Sequence, residues 1–497
     1  MEMKLTKNLI IKIILCVFML VFIFSLCSID LQNDTFYDIL IGKEYSQNGI
    51  FSIDKFSIHE NLKYQTHHLF LDLVIYAIYN VFGFIGTYIL EIILTCIIAM
   101  LFYTVNNQFT KSKKIAYIIT FIQLFMFSPF ISLRAQMFSS IFFLIEIIMI
   151  NKYLYGNLSD RKNKIILAIL TLIPILLINF HSGVIFFYYI IIGVYLFNLC
   201  NVNLIRIEND KTIDKNKLKK LIYPFVISLP LLLLNPYGIN GITYMFKTLN
   251  NSFINNSIQE FFPFNIKGVM GIQMFIYFVI QIIPLILSNK KIKLQEILFF
   301  SGTLFMSLLS VRHFMFFIIT TVVLIPHLEF VLTRMKNWLY FGLNEKGLKG
   351  MTVLINVIIF IVIMSAISSR LSQKQYEFIP SKFYPINAVE YIKKNIGYDK
   401  VIFNEYTWGS YMMFNDIKVF IDSRCDLYTK EYNQGVNVAE DYMNTVKCKI
   451  HYKDIVNKYN IEYFLIPKDE PLTIMLLKDD NYVNIYEDDI SYIFKKK

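Results

Sequence analysis

HHLFLDLVIYAIYNVF, residues 67–82, is apolar enough to be one more membrane crossing, and whether it crosses decides how the chain is threaded. The distribution of Lys and Arg settles the reading. If this segment stays on one side, Lys111, Lys113 and Lys114, the stretches Lys152–Lys164, Arg206–Lys220, Lys290–Lys293 and Arg334–Lys349 all fall on the side of Lys4 and Lys7. That is the cytoplasm by the positive-inside rule. If the segment crosses, most of these clusters land outside. Residues 67–82 therefore read as an amphipathic helix on the outer membrane surface, with Asp72 toward water.

Working outward, runs of mostly apolar residues long enough to be spans lie at 8–28, 85–105, 115–131, 137–151, 164–180, 184–200, 220–234, 271–288, 294–310, 314–332 and 351–369. The expected fold is thus a multi-span α-helical membrane protein of about 11 transmembrane helices with a C-terminal extracytoplasmic α/β domain. The N-terminus is expected inside the cell membrane and the C-terminal domain outside. Residues 1–369 form the expected membrane domain, with a first outer loop at 29–84, and residues 370–497 the outer domain. The first apolar run is too long for a cleaved signal, and no small-residue cleavage site follows it.

Composition agrees. Over 497 residues, 56% are hydrophobic and 17% charged, against about a quarter charged in ordinary soluble domains. Mean hydropathy is +0.50. This excludes a disordered chain, a disulfide scaffold and a simple soluble enzyme. The net charge of +11 belongs to the membrane part, because residues 370–497 carry 18 Lys and Arg against 19 Asp and Glu. No nucleic-acid partner is implied. Of six cysteines, only Cys425 and Cys448 share the outer domain, and no spacing argues that they pair.

Sorted onto this topology, the outer face collects acids, imidazoles and guanidiniums: Asp34, Asp38, Asp54, His59, His67, His68, Arg134, Gln136, His181, Asn235, Tyr237, Arg312 and His313. The cytoplasmic loops hold mostly Lys and Asn. Such lopsidedness points to a site opening outward. Asp34 and Asp38 share one face if 34–48 is a helix. The plain alternative is that Asn33 or Asp34 caps that helix and Asp38 is solvated.

The order of features in 34–86 is Asp34-x-x-Tyr37, a short helix, Asn48-Gly49, an irregular segment with Asp54, the surface helix, and Phe82-Gly83 leading into a span. It resembles the first outer loop of the GT-C class of integral membrane glycosyltransferases. Thr35 stands where that class usually has Glu, and His67-His68 stand where a Lys-Pro-Pro run is common. Ser132-Leu133-Arg134-Ala135-Gln136, Phe180-His181-Ser182-Gly183, Asn235-Pro236-Tyr237-Gly238, Val401–Tyr411 and Val419–Arg424 extend the resemblance over nearly the whole chain.

The resemblance implies transfer of a sugar from a polyprenyl-phosphate-linked donor to an extracytoplasmic glycan, lipid or protein acceptor. Asp34 would be the catalytic base. Tyr37, Asp54, His67, His68, Arg134, His181, Arg312 and His313 would bind substrate, with Arg312 and Arg134 receiving the lipid phosphate. Asp34, Arg312, His313 and His68 are expected to converge on one outward-facing cavity roofed by the C-terminal domain. For the arginines the alternative is snorkelling to lipid headgroups. The expected partners are the donor, membrane lipid and the acceptor. No cofactor follows from spacing; a divalent metal ion held by Asp34, Asp54 and the lipid phosphate is compatible with the sequence, and adjacent His67 and His68 make a poor metal pair.

The outer domain reads as a helix at 388–396 and strands at 400–404, 419–421, 461–466, 482–486 and 491–494. Trp408 fits sugar stacking, interface anchoring or core packing. Asp422-Ser423-Arg424 fits either a polar site at a strand end or an internal salt bridge. Two other functions compete: a transporter or flippase of lipid-linked saccharide, supported by Glu91 and Glu146 within spans, and an inactive relative that binds a partner.

Overall fold

The computed structural model describes residues 2–249, 251–342 and 377–497, with positions 364, 365, 368 and 372 between them. Helices α1 (Glu2–Leu26), α2 (Asn33–Asn48), α3 (Leu69–Phe109), α4 (Lys113–Phe127), α5 (Ala135–Tyr155) and α6 (Asp160–Phe180) follow in order. Among the described residues, 6 helices are long and apolar enough to cross a membrane: Leu69–Phe109, Ala135–Tyr155, Asp160–Phe180, Ser182–Leu199, Val269–Leu287 and Val311–Met335. Lys12–Leu26 and Leu294–Leu309 are shorter apolar helices. The expected span at 220–234 contains one short helix, Ile222–Leu231, preceded by Lys215–Lys220. The expected span at 351–369 lies outside the described residues.

The chain divides into two compact units. One comprises residues 1–28, 88–234 and 260–374; the other comprises 29–87, 235–259 and 375–497. This division differs from a cut at 369/370, because the first loop packs with the C-terminal segment. Phe36 is fully buried, with ring centroids 5.2 Å from Tyr384, 5.3 Å from Tyr411 and 5.5 Å from Phe414. Such aromatic contacts bury large areas in edge-to-face geometry. The Tyr384 hydroxyl donates to the Leu31 carbonyl at 2.8 Å, and the Leu31 amide donates to the Phe378 carbonyl at 2.9 Å.

Two glycines shape the first loop. At Gly83 φ is 60° and ψ is −155°, a conformation that side-chain-bearing residues avoid, so α3 breaks there into an initial helix and a later one. At Gly42 a Cβ would run into the Asp72 carbonyl and the Tyr76 Cβ. Glycine thus lets α2 lie directly on the first part of α3. The expectation that Asp72 faces water is overturned: its relative exposure is 0%.

The C-terminal sheet has β3 (Ile402–Asn404), β4 (Tyr463–Pro467), β5 (Tyr482–Glu487) and β6 (Ser491–Lys496) in the order β3-β4-β6-β5; two-residue β1 (Ile207–Glu208) and β2 (Ile292–Lys293) pair in the other unit. β3 runs parallel to β4, while β4–β6 and β6–β5 are antiparallel. The expected strand 419–421 is not part of this sheet. Those residues are buried in a loop, and Val419 bridges only Ser57. Cys425 and Cys448 are both free thiols. Trp408 is a core residue, 5% exposed, with Nε1 donating to the Phe383 carbonyl at 2.9 Å.

Candidate functional site

The second unit holds the first cluster. Asp34 lies in the first turn of α2 and is half-buried; Gln32, not Asn33 or Asp34, is the N-cap, and it makes no side-chain cap bond. An acid in a first helical turn is favoured by the helix dipole. One turn on, Asp38 is 2% exposed rather than solvated, which corrects the plain reading of that residue. His68, just before α3, places Nε2 3.0 Å from the Tyr37 hydroxyl and Nδ1 2.8 Å from Asp72 Oδ1. Thr66 Oγ1 donates to Asp72 Oδ2 at 2.9 Å. Asp38 Oδ1 lies 3.8 Å from His68 Nδ1.

Burial alone would drive the His68 imidazole toward neutrality, but Asp72, with smaller help from Asp38 and Asp34, outweighs it and holds its pKa at about 9. Burial pushes the Asp38 carboxyl well above the usual range; His68 opposes this, and Asp72 and Asp34 add to it. His68 and Tyr37, expected to touch substrate, are therefore buried partners of one another. His67 is half-buried and stacks on Tyr244, centroids 4.6 Å apart.

Asp54, expected to bind substrate, is 6% exposed and committed elsewhere. Its Oδ1 accepts from Arg424 NH1 at 2.6 Å, and its Oδ2 from the Ser57 amide at 2.9 Å. Asp422 grips the same guanidinium through Nε at 2.9 Å and NH2 at 2.8 Å, and the Tyr428 hydroxyl donates to Asp422. Burial would raise the Asp54 carboxyl, but Arg424 and the hydrogen bonds from Ser57 together hold it below its ordinary value. Asp422-Ser423-Arg424 is thus an internal salt bridge, extended to the first loop.

The other unit holds the second cluster. Arg134 forms an ion pair with Glu260. Burial would raise the Glu260 carboxyl, but Arg134 and Arg312 together hold it below its ordinary value. The Arg312 guanidinium lies 5.1 Å over the Phe261 ring, and its NH2 is 3.5 Å from His181 Nε2. His181 is buried, its Nδ1 3.1 Å from Ser139 Oγ. His313 directs Nδ1 to the Met306 carbonyl at 3.1 Å and stacks on Phe316. The expected site residues thus form two clusters, Asp34, Tyr37, His67 and His68 in one unit and Arg134, His181, Arg312 and His313 in the other.

Reading the sequence missed Thr66 and Glu260, named Asp38 without giving it a binding role, and turned Asp72 toward water. His68 and Asp72 are four residues apart at a helix start, a spacing that puts both on one face and was available to find them. Glu260 carries no such local signal.

No family model matches the sequence, and no curated protein is similar to it at the sequence level. Solved structures are similar in fold. The oligosaccharyltransferase of Archaeoglobus fulgidus, tethered with an acceptor peptide containing the NVT sequon, aligns with TM-score 0.59 at 12% identity, over 88% of this chain and 65% of its own. Archaeal oligosaccharyltransferase AglB from the same organism, in complex with an inhibitory peptide and a dolichol-phosphate, gives 0.61 at 12% identity, over 91% and 69%. ArnT from Cupriavidus metallidurans in the apo state gives 0.51 at 9% identity, over 98% of both chains. The chain spans about two thirds of the length of the archaeal transferases and the full length of ArnT. It is a multi-pass membrane protein with the fold of the GT-C class of integral membrane glycosyltransferases.

Proposed function

We propose that this chain transfers a sugar from a polyprenyl-phosphate-linked donor to an extracytoplasmic acceptor. The observation that carries the reading is the half-buried Asp34 in the first turn of α2, within a GT-C fold. Its carboxylate accepts the proton of the acceptor hydroxyl as that oxygen bonds to the anomeric carbon. The bond from that carbon to the lipid phosphate breaks, and its electron pair leaves on the phosphate oxygen. A guanidinium stabilises such an oxyanion through charge-assisted bonds. Arg312 and Arg134 are the residues proposed for this, and Glu260 holds Arg134 in place meanwhile.

The topology belongs to the same proposal: eleven spans, N-terminus cytoplasmic, C-terminal domain outside. Cysteines at positions 60 and 108 should label from opposite sides of the membrane; labelling of both from outside refutes it. For the chemistry, Asp34→Asn should abolish sugar transfer in membranes supplied with lipid-linked donor, while the protein remains folded. Arg312→Ala should raise the donor KM at least tenfold. Full activity of Asp34→Asn removes the enzyme reading. Comparing cell-surface glycans and accumulated lipid-linked sugars with and without the protein would identify the sugar.

A transporter of lipid-linked saccharide remains the second reading because Glu146, in α5, is 0% exposed and neither carboxylate oxygen has a hydrogen-bond partner. Glu91 lends it no support, since its oxygens accept from the amides of Ser28 and Leu133, each at 3.1 Å. Transport predicts that Glu146→Gln is inactive and Asp34→Asn is not.

A further inference from the structure

We propose that Asp38, His68 and Asp72 form a binding site for one first-row transition dication, zinc foremost, that fastens α2 to the start of α3. One carboxylate oxygen from each aspartate and one imidazole nitrogen all lie within 4.8 Å of one another, on residues that are 2%, 4% and 0% exposed. Three ligands each about 2.1 Å from an ion stand at most about 4.2 Å apart, so the trio closes on an ion with shifts below about 1 Å.

The decisive feature is Asp38 Oδ1. It is buried, has no hydrogen-bond partner, and points at His68 Nδ1 from 3.8 Å. A buried carboxylate oxygen without a donor is costly unless a cation completes it. His68 gives its hydrogen bond to Asp72 at 2.8 Å and leaves Asp38 a longer approach of 3.8 Å, a gap that an ion between the three would close. The surroundings also match a metal centre. His68 Nε2 lies 3.0 Å from the Tyr37 hydroxyl, which can accept its N–H and so leave Nδ1 as the ligand. Thr66 Oγ1 donates to the Asp72 oxygen that the imidazole does not use. One imidazole with two carboxylates suits zinc or manganese better than calcium or magnesium, which take all-oxygen shells.

Geometry also explains the place. α2 and α3 come closest where Gly42 meets the Asp72 backbone carbonyl, and the ion would sit between the same two helices. This site uses neither Asp34 nor Asp54, and it stands whether or not sugar transfer does, because its test reads metal and not activity.

The full chain, purified in detergent with any affinity tag removed, is stripped with chelator and titrated with zinc alone against a chromophoric competitor. Metal content is then counted by elemental analysis. The expected result is one tightly held zinc per chain. Asp38→Asn should weaken it at least tenfold while the Trp408 fluorescence stays native, and Tyr37→Phe should weaken it about 10–100-fold as an outer-shell change. Zinc content no higher than in a His68→Gln/Asp38→Asn double variant overturns the site. So does unchanged affinity in folded Asp38→Asn. Should the variants not fold, cobalt(II) added to the stripped parent chain decides. A visible absorption band of a nitrogen- and oxygen-ligated ion, displaced by one equivalent of zinc, supports the site; the spectrum of free aqueous cobalt refutes it.

Discussion

Replacing Arg424 with Met tests the buried charge cluster most directly. In the native protein one guanidinium faces two carboxylates, Asp54 and Asp422, with side-chain exposures of 3%, 0% and 0% for Arg424, Asp54 and Asp422. Removing it deletes three charge-assisted contacts and leaves two like charges in the core. Breaking a buried pair from one side costs about 3–5 kcal/mol. A second estimate comes from the alternative open to the stranded acid, which is to take up a proton. Starting from an ordinary aspartate near 3.9, protonating Asp54 costs about 4 kcal/mol at pH 7 and about 1.5 kcal/mol at pH 5. The two estimates agree at neutral pH, and the second adds a sign. In the native chain Asp54 is held below its ordinary value, so its contribution is present above about pH 4 and lost as pH falls through the folded value. In Arg424→Met, burial without the cation raises the acid, so stability should instead increase as pH falls from 7 toward 4. The assay is thermal unfolding in detergent followed by Trp408 fluorescence in a Trp338→Phe background. Trp408 is buried in the same unit and reports its collapse. The midpoint should fall by on the order of 10 °C at pH 7. A shift under about 2 °C, or a further loss on mild acidification, would show that the carboxylates are solvated and the reasoning is wrong.

Three further outcomes are expected. Gly42→Ala should cost about 1–3 kcal/mol, because its methyl meets the Asp72 carbonyl and the helices must part; an unchanged unfolding midpoint would mean the approach is looser than described. Asp426, which burial raises to about 6, favours the folded state when protonated, so its contribution is full below about pH 4 and is lost as pH rises through 6. Asp426→Asn should remove that decline and leave the variant more stable than the parent at pH 7, and equal pH profiles would refute it. Tyr37→Phe should cost about 1 kcal/mol by leaving His68 Nε2 without its hydroxyl partner; a stabilised variant, read by chemical unfolding, would argue against that bond.

What could be read in the sequence was local. The run from Asn33 announces a helix, and Phe82-Gly83 announces the kink that divides α3 into an initial and a later part. Asp72 was misplaced because a helix expected at the membrane surface has two environments to choose from, lipid and water, and a third was not considered. The third is another helix, made accessible by a single glycine 30 residues earlier. The plain alternative of a solvated Asp38 fails in the same way. The apolar run 419–421 looks like a strand because burial and strand both select Val, Phe and Ile; it is buried against the first loop instead, with His59 Nε2 2.8 Å from the Phe420 carbonyl. Asp54 and Arg424 carry no mutual signal at all, being 370 positions apart.

That separation has a consequence for how the molecule is made. The unit containing Asp34 is built from three stretches of chain, and its last stretch is the last to be synthesised. At about 5–20 residues per second, the ribosome reaches Arg424 roughly 20–70 s after Asp54. Through that interval the first loop has left the ribosome while Phe36 lacks the aromatic rings that cover it and Asp54 lacks its cation. Every later membrane segment must be inserted before the loop can close. A chain interrupted anywhere before residue 424 therefore exposes an unfinished apolar surface to whatever quality-control proteases patrol that side of the membrane. Synthesis through Arg424 doubles as a proofreading step: only a chain translated and threaded that far can hide the loop that carries Asp34.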